Sequence, residues 1–409
     1  MFKKIKNFNN WLIFILSPLS VLIFFIVTII RPLLLIRFGE VLTYRFGHSL
    51  INVEIFLQNK KLEKNNFFFP KKIDIFFFSS ITSNKFLKTI CKRHVFIMPF
   101  QLVLIVFNTF SWLSNFNNFF NKHLIIIRNY DMDQNNLFDK TNHILNFTKQ
   151  EIEKGDKLLE KIGVYKEDKF VCLYTRESNY LEKYLNDTNE KNSRWNLRNS
   201  DIETYKLAAE ELVKLGYKVV RVGKYTKKKI TFSNSNIIDY SNSEFTSDFL
   251  DVYLSYKCKF VLGDSAGWSA MPILFRKYIA FANIAPYGIT LYYTKKNTFI
   301  FKKYYSLEKK KILSLKEIKD ADIINAFSDD LEKKNIRLID NTPEEIKDLV
   351  IEVEKKYKGN FYINESYKDQ QSKFTNYIKN NFFLNSKYTC EYEFQSSCAS
   401  SFLKSIRYT

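Results

Sequence analysis

The chain opens with an apolar run over residues 11–30, and about 20 residues is the length a helix needs to cross a bilayer. Behind it, short apolar runs alternate with longer mixed stretches. The short runs cover 33–38, 73–78, 95–98 and 124–127, and again 170–174, 218–222, 237–240, 260–262 and 279–282. Runs this short, bounded by Gly, Ser or Lys, predict buried strands. The stretches between them carry helical spacing, from about Ser49, over 101–113, 199–215, 247–256 and 269–275. Helix boundaries are marked by chemistry. Thr148 and Glu151 have the spacing of a capping box, with Gly163 closing that helix, and Thr342-Pro343-Glu344-Glu345 has an N-cap, a proline in the first turn and a reciprocal glutamate. Strand and helix in strict alternation predict parallel sheets, so the fold class is α/β with two Rossmann-like halves.

The boundaries follow from the same pattern. We expect a membrane anchor at 1–31, a first Rossmann-like domain at 32–148, a linker helix at 149–165, a second domain at 166–358 and a polar, partly disordered or back-packing tail at 359–409. At 409 residues the chain is longer than one core usually holds.

Composition sharpens this only in places. A hydrophobic content of 46% supports real cores, and a formal charge of +20 favours acidic partners such as phosphorylated metabolites or anionic lipid. The richness in Lys, Asn, Ile and Phe also fits an AT-rich genome. No nucleic-acid motif is present, and the lysine runs 227–229 and 309–311 read as solvated faces, so no nucleic-acid partner is expected. The five cysteines form no C-x-x-C pair, which is a reduced-compartment pattern. Basic residues flank both ends of the apolar run (Lys3, Lys4, Lys6; Arg31, Arg37, Arg45) and Pro18 interrupts it, so a spanning helix and a re-entrant hairpin both remain open.

Candidate chemistry gathers at strand ends. The turn Gly263-Asp264-Ser265-Ala266-Gly267 joins a strand to a helix. Small residues there admit a close ligand, and helix N–H groups would face a phosphate, with Ser265 and Ser269 adding hydroxyls. Arg176 follows the strand 170–174 and can pair with phosphate in a fork. Arg198 and Asn199 precede a helix for which Ser200 and Glu203 have capping-box spacing. All four histidines (His48, His94, His123, His143) lie in the first half, so a histidine base must come from there. His48 is best placed, with Asp131 and then Asp133 as carboxylate alternatives.

Taken in order, Arg45-Phe46-Gly47-His48, Thr175-Arg176-Glu177-Ser178, Arg198-Asn199-Ser200-Asp201-Ile202, the Gly263–Gly267 turn and Asn341-Thr342-Pro343-Glu344-Glu345 resemble a family of bacterial glycosyltransferases from surface-polysaccharide gene clusters. The likeness runs from about Arg31 to about Val350. Glu177 stands where the family has Asp, and Tyr174 where it usually has His. The resemblance implies a GT-B-like architecture of two Rossmann-like domains. It further implies a nucleotide-sugar donor held by the second domain, a lipid-linked or growing glycan acceptor on the side of Arg45 and Gly47, and neither metal nor cofactor. Asp131-Met132-Asp133 mimics the D-x-D metal motif of another glycosyltransferase fold, but its place in the first half argues against that role. The expected setting is the cytoplasmic face of a bacterial inner membrane, with membrane lipid as a partner. An inactive relative that only binds glycan or nucleotide is the alternative.

Overall fold

The computed structural model describes residues 10–63, 71–131, 133–177, 195–224, 226, 228–231, 234–287, 294–383 and 394–409. Lys3, Lys4, Lys6, Met132, Ser178 and Lys227 lie outside them. The chain forms two units, the first comprising 1–132 and 144–146, the second 133–143 and 147–409.

In the first unit, α1 (Asn10–Ile30) leads into β1 (Leu34–Val41), followed by α2 (Phe46–Glu63), β2 (Lys71–Phe78), α3 (Lys85–His94), β3 (Phe96–Ile97), α4 (Phe100–Leu113) and β4 (Leu124–Ile125). The sheet order is β3-β2-β1-β4, every pairing parallel. Parallel strands need crossover helices, which the apolar α4 and the amphipathic α3 supply. Val27, Phe38, Phe77, Val103, Val106 and Phe110 form one core that joins α1 and α4 to the sheet. Because β1 and β2 run in register, Arg37 lies opposite Asp74 and donates to it at 2.7 Å, with Lys60 at 2.5 Å from the same carboxylate. Arg37 is therefore a sheet-face ion pair and not a charge flanking a membrane segment.

Among the described residues no helix is long and apolar enough to cross a membrane. One side of α1 packs inward through Ile23, Phe24 and Val27, while Leu22, Phe25, Ile26 and Ile29 on the other side are 48–74% exposed.

The second unit holds β5 (Phe170–Tyr174), β6 (Lys218–Val222), β7 (Ile237–Ile238), β8 (Phe260–Gly263), β9 (Tyr278–Ile284) and β10 (Asn297–Phe301). It also holds a small antiparallel sheet of β11 (Lys303–Ser306), β12 (Lys311–Ile312) and β13 (Ile336–Ile339), and finally β14 (Ser397–Cys398). The main sheet runs β14-β10-β9-β8-β5-β6-β7, again wholly parallel. From β5 the chain builds outward through β6 and β7, then returns to place β8 on the other side of β5. The gap between the carboxyl ends of β5 and β8 is thus a topological switch point, where open α/β sheets leave a crevice for ligands.

The helix predicted over 199–215 is shorter than its pattern. Residues 199–201 are extended and Ile202–Tyr205 is a 3₁₀ turn before the helix Lys206–Lys214. Asp201 caps that turn by accepting from the Glu203 N–H, so Ser200 is not the cap. Helix Lys149–Lys161 has its capping box and belongs to the second unit, where the Tyr253 hydroxyl donates to the Ile152 carbonyl at 3.1 Å and to Asp156 at 2.7 Å. The polar tail folds back, adding helix Glu365–Ile378 and the edge strand β14.

Candidate functional site

Two clusters of polar side chains stand at sheet edges, one in each unit. The second unit's cluster sits at the switch point. β8 ends on Gly263, whose Cα lies so close to β5 that an added Cβ would fall 2.2 Å from the Tyr174 carbonyl oxygen. Strand packing alone therefore requires glycine there. Asp264 follows, fully inside. Its Oδ2 accepts the Arg176 backbone N–H at 2.6 Å and the Ser200 hydroxyl at 2.5 Å. One carboxylate thereby ties the ends of β5 and β8 to the 195–201 loop. Ser200 is a site residue that the sequence presented as a cap.

Two guanidiniums hang over this anchor. Arg176 Nη1 donates to the Trp195 carbonyl at 3.0 Å and to the Asn199 side-chain oxygen. Arg198 Nη2 donates to Ser265 Oγ at 3.0 Å and to the Ser265 carbonyl. Lys302, in turn, donates to the Asn199 carbonyl at 2.5 Å and pairs with Asp340 at 2.8 Å. The structure therefore gathers Arg176, Arg198, Asn199, Gly263, Asp264 and Ser265 in one place.

The charge balance of this place is unusual. Among the described residues neither Arg176 nor Arg198 forms an ion pair. Burial lowers the pKa of both, and the neighbouring Arg176 adds to the effect on Arg198, which falls to about 10. Burial also raises Asp264 to about 6, against the Arg176 N–H, the Ser200 hydroxyl and both guanidiniums. Asp264 Oδ1 and Thr175 Oγ1 are buried with no hydrogen-bond partner among the described residues. Two close cations facing a carboxylate that resists ionisation leave net positive charge in a partly desolvated crevice, which a polyanion would relieve.

The helix-dipole part of the sequence argument does not carry over. Behind the turn come one 3₁₀ turn, Gly267–Ser269, and a helix of only five residues, Ala270–Leu274. Its dipole is small, so the positive potential comes from the arginines. Ala266 and Gly267 form the outer part of the turn. Ser269 is buried with its hydroxyl donating to the Ala266 carbonyl at 2.6 Å, so its proton is committed locally. Glu177 pairs at 2.9 Å with Arg221, which is wholly buried, and that fixes it as a structural partner.

The first unit's cluster lies beyond the carboxyl ends of β1 and β4. α2 begins at Phe46, and the loop before it exposes Arg45 and leaves Gly47 and His48 half-buried. His48 Nδ1 is 3.0 Å from Asp131 Oδ1, and Asn52, one helical turn on, donates to the same oxygen at 2.5 Å. His48 and Asp131, read from sequence as alternatives, are in contact. Burial would raise the Asp131 carboxyl, but hydrogen bonds from His48 and Asn52 and the charge of Arg128 outweigh it and hold it below its ordinary value. A carboxylate fixed on one imidazole nitrogen sets the tautomer that leaves the other to take a proton.

Asp133 belongs to the second unit and is fully buried, accepting the Phe138 N–H at 2.7 Å. The Asp131-Met132-Asp133 triplet is thus split between two environments. Among the described residues no group of His, Cys, Asp and Glu could hold a metal ion.

No family model matches the chain, and no curated protein does. Among solved structures it is similar to a glycosyl transferase of family 9 from Veillonella parvula, at 10% identity over 61% of this chain and 80% of that one, with a TM-score of 0.38. It is also similar to TibC, an iron-containing dodecameric glycosyltransferase of enterotoxigenic E. coli, at 11% identity over 61% of this chain and 59% of that one, with a TM-score of 0.30. The same heptosyltransferase in complex with ADP-D-beta-D-heptose aligns with a TM-score of 0.31 at 11% identity, over 63% and 59% of the two chains. Scores this low carry no argument, so the chain is similar to these proteins at a distance and its own geometry must support any functional reading.

Proposed function

We propose that the chain is a glycosyltransferase of GT-B type that moves a sugar from a nucleotide-sugar to a lipid-linked or growing surface glycan. The observation that carries the reading is the pair of guanidiniums at the switch point, which form no ion pair among the described residues and stand over the buried carboxyl of Asp264. A nucleotide-sugar presents a diphosphate, and glycosyl transfer builds up charge on it as the bond to the sugar breaks. Arg176 and Arg198, with Asn199 and the Ser265 hydroxyl, would bind that diphosphate and stabilise it as leaving group, a role that needs no metal or cofactor. His48, held by Asp131, would take the proton of the acceptor hydroxyl, with Arg45 and Gly47 on the acceptor side.

Membrane attachment belongs to the same reading. The exposed apolar side of α1 supports an interfacial seat on lipid, as an in-plane helix and not a spanning one. A cytoplasmic position at an inner membrane follows from the donor, since nucleotide-sugars are made there.

The test is a thermal-shift screen of UDP-, ADP-, GDP- and CMP-sugars, repeated on Arg176→Ala. Stabilisation by one donor class, lost in the variant, is expected. No shift with any donor, or an undiminished shift in Arg176→Ala, sinks the reading.

A further inference from the structure

A cavity of about 880 Å³ opens in the first unit between the carboxyl end of β2 and the α3–α4 segment. Its floor is Phe78 and Ser79 at the carboxyl end of β2, and its lining includes Lys88 and Lys92 of α3 together with Phe96 and Met98. The cavity is apart from the His48–Asp131 pair, and nothing assigned above uses it.

The two lysines need an explanation. They stand at i and i+4 on one helix, a spacing at which like charges repel. Neither makes an ion pair among the described residues. Burial and the charge of Lys92 both lower the pKa of Lys88, so each ammonium is costly to the other. The helix dipole accounts for Lys92, which lies in the last turn of α3 with Arg93 and His94, but not for Lys88 further up. The Lys88 ammonium sits 5.1 Å from the Phe78 ring centroid, which holds it against the cavity floor. In the same lining, Phe96 leaves 61% of its surface exposed, a large apolar group that no described residue covers. Two cations with no ion-pair partner among the described residues and an exposed aromatic in one lining describe a ligand with an anionic head and an apolar body.

We infer that this cavity binds a phosphate ester carrying an apolar chain, with Lys88 and Lys92 on the phosphate and Phe96 against the chain. Under the transferase reading, on which this assignment to the acceptor rests, the acceptor is a lipid phosphate or diphosphate and the lysines hold its head group. The binding claim itself stands without that reading.

The experiment is calorimetric titration of the full chain with decyl phosphate below its micelle concentration. Inorganic phosphate and decyl glucoside serve as arms for the head group alone and the chain alone. Decyl phosphate should bind at least about tenfold more tightly than either. The double variant Lys88→Gln/Lys92→Gln should lose about tenfold or more, whereas Lys88→Arg/Lys92→Arg should keep the affinity and so show that charge, not fold, is at issue. Decyl phosphate affinity within twofold of wild type in the glutamine variant overturns the inference. Equal binding of inorganic phosphate or of decyl glucoside overturns it too. Donor-induced thermal shift, read on the same samples, separates the two claims. If no donor shifts the wild type but decyl phosphate binds through the lysines, the transferase reading fails and the cavity stands. If a donor shifts the wild type but decyl phosphate does not bind, the cavity assignment fails and the transferase reading stands.

Discussion

The two sheet-edge clusters share a topology and differ in their electrostatics. Each lies beyond the carboxyl ends of parallel strands, and each centres on one aspartate. In the first unit Asp131 is about a third exposed and is held ionised by His48, Asn52 and Arg128. In the second, Asp264 is closed off from water, and burial pushes it up to about 6 although two guanidiniums stand near. Solvent access decides which way the same residue type goes. The carboxylate on His48 fixes the orientation of its ring, while a reluctant carboxylate under two arginines leaves positive charge to spare. Under the proposed function, one edge would take a proton and the other an anion.

That contrast can be broken at either edge. The largest effect is expected from His48→Ala, which should lower kcat by about 10²–10⁴ while leaving the affinity for donor unchanged. Steady-state kinetics beside equilibrium binding measure this, and a rise in donor Kd with unchanged kcat would remove His48 from the role of base. Next, Arg198→Ala should weaken donor binding by about 10–100-fold, as loss of a charge-assisted hydrogen bond requires. Calorimetry on the variant would settle it, and wild-type affinity would mean the anion sits elsewhere.

Gly263→Ala should cost about 1–3 kcal/mol of stability, because the new methyl meets a backbone carbonyl that cannot step aside. Denaturant unfolding measures it. An unchanged midpoint would show that β5 and β8 are less tightly apposed than described.

The smallest effect sharpens the contrast by pH. The diphosphate of a nucleotide-sugar has no proton to gain between pH 5 and 8, so changes in its affinity report the protein. Asp264 is raised above its unfolded value. Its ionisation therefore opposes the folded state progressively as pH climbs from about 4 through about 6, and that penalty is absent below this window. The same ionisation reduces the net positive charge at the site only by forming the anion that the arginines must then share. Donor affinity should accordingly rise severalfold as pH falls through about 6, and Asp264→Asn should flatten that slope. Asp131 has the opposite sign. Its pKa is depressed, so its contribution is present above about pH 4 and fades in more acid solution. A donor-affinity profile with equal slope in wild type and Asp264→Asn would place the titrating group outside this cluster.

By itself the sequence determined the local grammar. Strand runs such as 170–174 and 218–222 are apolar because both faces of a parallel sheet are covered, and the capping boxes at Thr148 and Thr342 close within three residues, so both were legible. Arg176 was legible as a candidate because it follows a strand end, and Arg198 and Asn199 because they precede a helix whose capping does not call for them. What the tertiary structure decided depends on partners far apart in the chain. Ser200 looks like a cap until Asp264, 64 positions on, claims its hydroxyl. Gly263 reads in the sequence only as part of a small-residue turn, and the packed sheet adds a second reason for glycine, the Tyr174 carbonyl 2.2 Å from where its Cβ would stand. His48 and Asp131 read as rivals because 83 residues separate them, and the order of β1 and β4 in the sheet makes them a pair. Hydrophobic period and capping act over one helical turn or one strand, so sequence records them directly. Burial and charge balance are properties of the packed neighbourhood, and only the fold assembles it.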